Sequence, residues 1–219
     1  GLGYCKDSWD DFCSAARKEG YTDEELVKAG VAIRNENSGT IYDRFRARIT
    51  FPIFNIGGRV LGFSARILSS DKSKAKYVNS PESIIYSKSN VLFGLHFAKE
   101  KIIKEDLCYL VEGNMDAVMM SQCGVQNVVA TSGTALTVQQ INLIKRYTRN
   151  VTVLYDGDSA GIKATFKAVN LFLEQGLNVR TVLFPDGEDP DSFARSRTAD
   201  EFKVFLSDNS RNFILYKTD

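Results

Sequence analysis

The chain is short of the residues that carry several common chemistries. It has one histidine in 219 residues, His96, set between Leu95 and Phe97. A histidine-dependent triad therefore has almost nothing to be built from, and His96 reads as structural. The four cysteines, Cys5, Cys13, Cys108 and Cys123, form no C-x-x-C pair. That spacing argues against a structural zinc site and against a disulfide framework, and fits reduced, buried thiols of a cytosolic protein. No run reaches the ~18 apolar residues needed to cross a bilayer, so no membrane association is expected. The opening Gly1-Leu-Gly-Tyr-Cys5-Lys6 lacks a signal-peptide pattern and a methionine, so a piece of a longer protein is expected.

What remains is an ordinary globular composition, 43% apolar and 25% charged. The net charge of +1 hides an uneven distribution. Residues 34–104 carry 13 basic and 5 acidic side chains, residues 105–219 carry 11 and 15, and residues 1–33 carry 4 and 7. This is either chance asymmetry of a solvated surface or a basic surface for phosphates beside an acidic metal site.

Local patterns predict a short amphipathic helix over Trp9–Arg17 capped by Ser8, then a capping box at Thr22-Asp-Glu-Glu25 opening a helix that ends near Gly30. Ile49–Phe54 and Val60–Leu68 flank a Gly57-Gly58 turn and predict a hairpin. Residues 69–90 read as irregular around Pro81, followed by a helix over Leu95–Ile103. From about residue 106 strands alternate with helices: strands at Leu107–Val111, Asn127–Ala130, Val151–Tyr155 and Asn178–Phe184, helices at Met115–Cys123, Thr137–Tyr147 and Ala160–Gln175. That alternation predicts a parallel sheet covered by helices, with ligands outside the carboxyl ends of the strands.

Three acidic clusters fall at those ends. Asp156 and Asp158 stand at i and i+2, on one face of a strand end, where two carboxylates repel unless a cation sits between them. Hard oxygen pairs of this kind suit Mg²⁺ or Mn²⁺; the alternative is Asp158 as a helix N-cap beside a turn aspartate. Glu112 and Asp116 bracket the turn after the first strand of the sheet. Asp186, Glu188, Asp189 and Asp191 follow the last. Capping and macrodipole complementarity explain Asp116 or Asp191 singly, but not the clustering of all three groups at strand ends.

Glu112 followed by Asp156-x-Asp158 some forty residues later resembles the Toprim domain of primases, topoisomerases, repair proteins and nucleases. Further strings resemble the catalytic core of bacterial DnaG-type primases, in order and over nearly the whole chain: YDRFRARITFPI (Tyr42–Ile53), GRVLGFSAR (Gly58–Arg66), KYVNSPE (Lys76–Glu82), YSKSNVLFGL (Tyr86–Leu95), VEGNMD (Val111–Asp116), SGTALT (Ser132–Thr137) and GEDPD (Gly187–Asp191). Two positions depart from the family pattern: Asn114, where an aromatic residue is frequent, and Ser159, where Arg or Ala is usual.

The resemblance implies an α/β fold: a Rossmann-like Toprim domain over 105–195, with a mainly parallel sheet flanked by helices. It is preceded by a small basic α+β subdomain over 1–104 and followed by the start of a C-terminal helical region over 196–219. It implies a primase, making short RNA primers on single-stranded DNA from NTPs by nucleotidyl transfer with two or more Mg²⁺ or Mn²⁺ ions. Asp156 and Asp158 would be catalytic metal ligands, with Asp116, Asp189 and Asp191 supporting further ions and Glu112 a ligand or general base. Arg44, Arg46, Arg66, Lys76 and Lys88 would hold template phosphates or the nucleotide triphosphate, Arg48 and Arg59 being weaker candidates.

Asn79 would contact nucleic acid or cap a turn. Tyr42, Phe45 and Tyr77 would stack on bases or pack a core, and Gly133 and Thr134 would hold backbone near the metals or form a plain turn. The family's zinc-binding domain and helicase-docking region are expected outside this chain. The expected partners are the template, NTPs and an RNA–DNA hybrid, and the expected setting is a monomer in the bacterial cytoplasm, within the replisome. A topoisomerase, a nuclease and a nucleic-acid scaffold are the competing readings; the basic block favours a primase.

Overall fold

The computed structural model describes residues 1–69, 73–156, 159–185 and 188–212. The chain divides into two compact units, Gly1–Ser87 and Lys88–Asp219.

The first unit contains β1 (Gly3–Cys5), α1 (Asp11–Lys18), α2 (Asp23–Lys28), β2 (Ala32–Arg34), β3 (Ile41–Asp43), β4 (Arg48–Phe54), β5 (Val60–Ile67) and β6 (Tyr77–Asn79). An antiparallel sheet runs in the order β1-β4-β5-β6, and β2 pairs with β3. The β4–β5 hairpin is closed by Asn55, whose carbonyl accepts from Gly58 N–H and whose Oδ1 accepts from Arg59 N–H. Gly58 sits at φ 86°, which a side chain would strain. Phe51, Ile53 and Ala65 are almost fully buried under this sheet.

Two expectations need correction here. The polar stretch read as irregular holds β6, whose residues Tyr77 and Asn79 pair with Arg66 and Ser64. Its short length and polar neighbours left no period-2 signal, so tertiary pairing decided it. Ser8 does not cap α1. The carboxylate of Asp43, 30 residues away, takes that role: Oδ2 accepts from Phe12 N–H at 2.8 Å and Oδ1 from Cys13 N–H at 2.9 Å. By contrast Thr22 and Glu25 form the reciprocal capping box their spacing predicts.

The second unit contains α3 (Leu95–Glu105), β7 (Cys108–Val111), α4 (Asn114–Gln122), β8 (Val128–Ala130), α5 (Val138–Lys145), β9 (Asn150–Val153), α6 (Ser159–Glu174), β10 (Asn178–Thr181), α7 (Pro190–Arg195), α8 (Ala199–Asn209) and β11 (Arg211–Asn212). The sheet order is β11-β10-β9-β7-β8, parallel from β10 to β8 with β11 antiparallel on the edge. β7, β8 and β9 read Cys-Tyr-Leu-Val, Val-Val-Ala and Asn-Val-Thr-Val, the apolar runs of a parallel sheet covered by helices. α7 and α8 add Phe193, Phe202 and Leu206 to the core beside Phe184. The two compact units divide before α3: α3 packs on β8, and Phe93 exchanges two backbone hydrogen bonds with Ala130. No helix among the described residues is long and apolar enough to cross a membrane.

Candidate functional site

The acidic residues gather where parallel strands end. Glu112 follows β7, Asp116 lies in the first turn of α4, Asp156 follows β9, and Asp189 and Asp191 begin α7. Asp158 and Asp186 lie outside the described residues. Asp116 Oδ2 accepts from the Gly113 N–H at 3.0 Å. The Asp116 carboxyl is pushed up to about 7, by burial first, against the lowering effect of that bond, with the carboxylates of Asp189, Asp156 and Asp191 contributing to the rise. Asp116 thus senses three of the predicted ligands at once. Burial first, and the Glu112 carboxylate second, raise the Tyr155 hydroxyl well above its usual range. The Oε1 atom of Glu112 is itself buried.

Two of these carboxylates also work in the fold. Asp189 is the N-cap of α7, its Oδ1 accepting from Ser192 N–H at 2.6 Å. Asp191 receives both Nε and Nη2 of Arg195, at 2.8 and 3.0 Å. Both side chains therefore serve the fold as well as adding negative charge at this edge. A donor set of carboxylates that repel one another at this sheet edge fits a hard divalent cation.

The loop after β8 closes against Glu112. Its carbonyl oxygen accepts from Gly133 N–H at 3.2 Å and Thr131 Oγ1 at 3.4 Å. Of Gly133 and Thr134, read from the sequence as holders of backbone near the metals or as a plain turn, Gly133 reaches Glu112 through its N–H, while Thr134 Oγ1 ties the loop to Thr131 O. Asn114 is buried and its Oδ1 accepts from Ser132 Oγ at 2.7 Å. Ser132 opens the SGTALT string, but its left-handed backbone, φ 61°, is a property of the folded loop.

Lys88 opens a short 3₁₀ turn held by α5: Gln140 Nε2 donates to Lys88 O and Val91 O, and Thr137 Oγ1 to Ser89 O.

In the first unit, the strand register sets Arg66, Tyr77, Ser64 and Asn79 on one face of β5 and β6. The Arg66 guanidinium lies 5.9 Å from the Tyr77 ring. Arg44 spends two donors on Asn79 O, at 3.1 and 3.0 Å. Arg46 lies 3.6 Å over the exposed Trp9 ring and donates to Asp43 O at 2.8 Å. Lys76 is exposed beside β6. Arg48 is structural: it is buried, with Nη2 on Ala75 O at 2.8 Å and Nη1 on Lys76 O at 3.2 Å. Phe45 belongs to the core, and Tyr42 packs edge-on against Trp9.

Among the described residues, Asp10, Cys13 and Asp43 bring donor atoms within 4.8 Å of one another. Both Asp43 oxygens already serve the α1 amides, and the Cys13 thiol is pushed up to about 12 by burial and by Asp43. That group reads as a helix cap, not as a cation site.

Residues 1–99 match the DNA primase catalytic core, N-terminal domain, and residues 109–194 match a Toprim-like domain; Toprim domains as a class bind divalent metals. The chain is 42% identical over 217 residues to a DNA primase of Clostridium acetobutylicum, covering 99% of this chain and 35% of that protein. It thus spans about a third of the length of the curated relatives it matches. Among solved structures, a DNA primase domain from Pseudomonas aeruginosa superposes with a TM-score of 0.89 at 35% identity, over 98% of this chain and 67% of that one. A DnaG primase catalytic domain bound to single-stranded DNA superposes at 0.86, also at 35% identity, over 99% and 68%. With both halves matched in order, the chain belongs to the catalytic-core family of bacterial DnaG-type DNA primases.

Proposed function

We propose that this chain is a template-directed RNA polymerase that makes short primers on single-stranded DNA, working in the bacterial cytoplasm. The observation that carries this is the convergence of Asp116 with Asp156, Asp189 and Asp191 at the edge of a Toprim-like sheet. The reaction joins a 3′-oxygen to the α-phosphorus of an NTP and breaks the bond to the bridging oxygen of the leaving pyrophosphate.

Mg²⁺ or Mn²⁺ would be held by Glu112, Asp116, Asp156 and Asp158, with Asp189 and Asp191 available to further ions; bound there, it lowers the pKa of the attacking hydroxyl and offsets the charge of the transferring phosphoryl group. Glu112 would serve as a metal ligand or as the base that takes the hydroxyl proton. Arg66, Lys76 and Lys88 bind template or triphosphate oxygens. Arg44 and Arg46, whose donors partly serve backbone carbonyls, shape that surface and add charge to it. Asn79 contributes its side chain on the same face as Arg66.

The test is incorporation of labelled NTPs on single-stranded DNA with Mg²⁺ or Mn²⁺, with Asp156→Ala alongside. Short RNA products that vanish in the variant support the reading. Template degradation in place of synthesis would make the protein a nuclease, and DNA binding without either would make it a scaffold.

A further inference from the structure

Asn114 is a polar side chain only 2% exposed, at the first position of α4 and two residues past Glu112. A buried amide at a helix start needs a partner, and it has one across the sheet edge: Ser132 Oγ at 2.7 Å. Ser132 holds a left-handed backbone, φ 61°, that a non-glycine residue adopts only when its surroundings impose it. The next residue, Gly133, continues at φ 75° and turns its N–H onto the Glu112 carbonyl oxygen. Thr131, just before, sends Oγ1 to the same oxygen and its N–H to Val111 O. The connections close a ring: Glu112 to Asn114 through the chain, Asn114 to Ser132 through side chains, and Ser132 through Gly133 back to the Glu112 peptide.

We infer that Asn114 and Ser132 are positioning residues, whose hydrogen bond fixes the Glu112 peptide and so aims the Glu112 carboxylate at the metal-binding edge. This rests on the proposed polymerase site. Neither residue touches the reacting atoms. Their effect passes through a backbone oxygen clamped by two donors of a strained loop, so loosening the latch frees the origin of the Glu112 side chain. The same latch gives the unusual Asn114 a purpose: a side chain without an acceptor at this point would remove the bond that ties the half-buried Ser132 hydroxyl to α4.

The experiment uses the whole chain and the variants Asn114→Ala, Ser132→Ala, Ser132→Gly and the double Asn114→Ala/Ser132→Ala. Mn²⁺ affinity is measured by titration without NTP, alongside kcat, KM for template and the thermal midpoint. Each single variant is expected to lose about 10-fold in Mn²⁺ affinity and in kcat, the scale seen when a ligand's supporting partner is removed, with KM for template within about twofold. The double variant should lose no more than the worse single, because both remove one bond. Ser132→Gly relieves the backbone strain but lacks the hydroxyl, so it should be as impaired as Ser132→Ala even if it melts higher.

A falling thermal midpoint with Mn²⁺ affinity and kcat unmoved would reduce the pair to a folding role. Recovery in Ser132→Gly, or losses that multiply in the double variant, would also overturn the latch. A wild-type chain that binds Mn²⁺ but makes no RNA counts against the polymerase reading, and the Mn²⁺ affinities then decide the latch alone. A wild-type chain that binds no Mn²⁺ sinks both.

Discussion

Gly161 lies against the backbone of Asp156: a Cβ at Gly161 would stand 2.9 Å from the Asp156 carbonyl carbon and 3.1 Å from its Cα. Both atoms belong to backbone, so the clash has no flexible side chain to absorb it. Gly161→Ala should shift Asp156 or the first turn of α6. Displacing a reacting constellation by about 1 Å costs on the order of 100-fold in rate. The expected result is a loss of NTP incorporation of that order with a stability loss of about 1–3 kcal/mol, read by urea denaturation.

Asp116 sets a pH dependence whose sign can be worked out. Its folded-state value, about 7, lies above the ordinary value of 3.8. Between those values the folded state holds the proton more tightly than the unfolded state, so this group's contribution to stability falls as pH rises from about 4 to 7 and stays low above. A divalent cation reverses the balance by favouring the carboxylate. In metal-free protein, Asp116→Asn should raise the thermal midpoint at pH 8 by roughly 3 °C and leave it nearly unchanged at pH 4. Mg²⁺ should stabilise wild type more at pH 8 than at pH 5.5, and proton release on Mn²⁺ binding at pH 6.5 should be visible in a weakly buffered titration.

Arg66 and Arg48 sit on paired strands but should respond differently. Arg66→Ala removes a cation from the strand face shared with Tyr77 and Asn79; the slope of log affinity for single-stranded DNA against log salt should fall by about 0.7, with little change in stability. Arg48→Ala strips a buried guanidinium from the carbonyls of Ala75 and Lys76 and should cost about 2–4 kcal/mol. Equal effects on salt slope from both would place Arg48 on the nucleic acid instead.

Asp43 serves α1 from a distant strand. Asp43→Ala leaves the Phe12 and Cys13 amides without their acceptor and should destabilise the protein by about 1–2 kcal/mol in chemical denaturation. Asp43→Asn, which keeps one acceptor oxygen, should recover part of that. Added Mg²⁺ should not change the difference, since this carboxylate works as a cap.

The sequence by itself carried what is local or periodic. The apolar runs at Cys108–Val111 and Asn150–Val153, the helical repeats between them, and the box at Thr22 fix each element with residues close in the chain. The acidic clusters at strand ends followed from the same alternation, because a parallel sheet sends the C-termini of its strands to one edge.

Tertiary structure decided whatever depended on partners far along the chain. β6 forms because β5 is there to pair with it, and Asp43 caps α1 because β3 carries it there. Arg48 is structural because the 75–76 backbone turns its carbonyls inward. Ser132 meets Asn114 only once the loop after β8 adopts a left-handed turn. A side chain's identity states which bonds it can make, but only the folded backbone determines which partners stand within 3 Å of it.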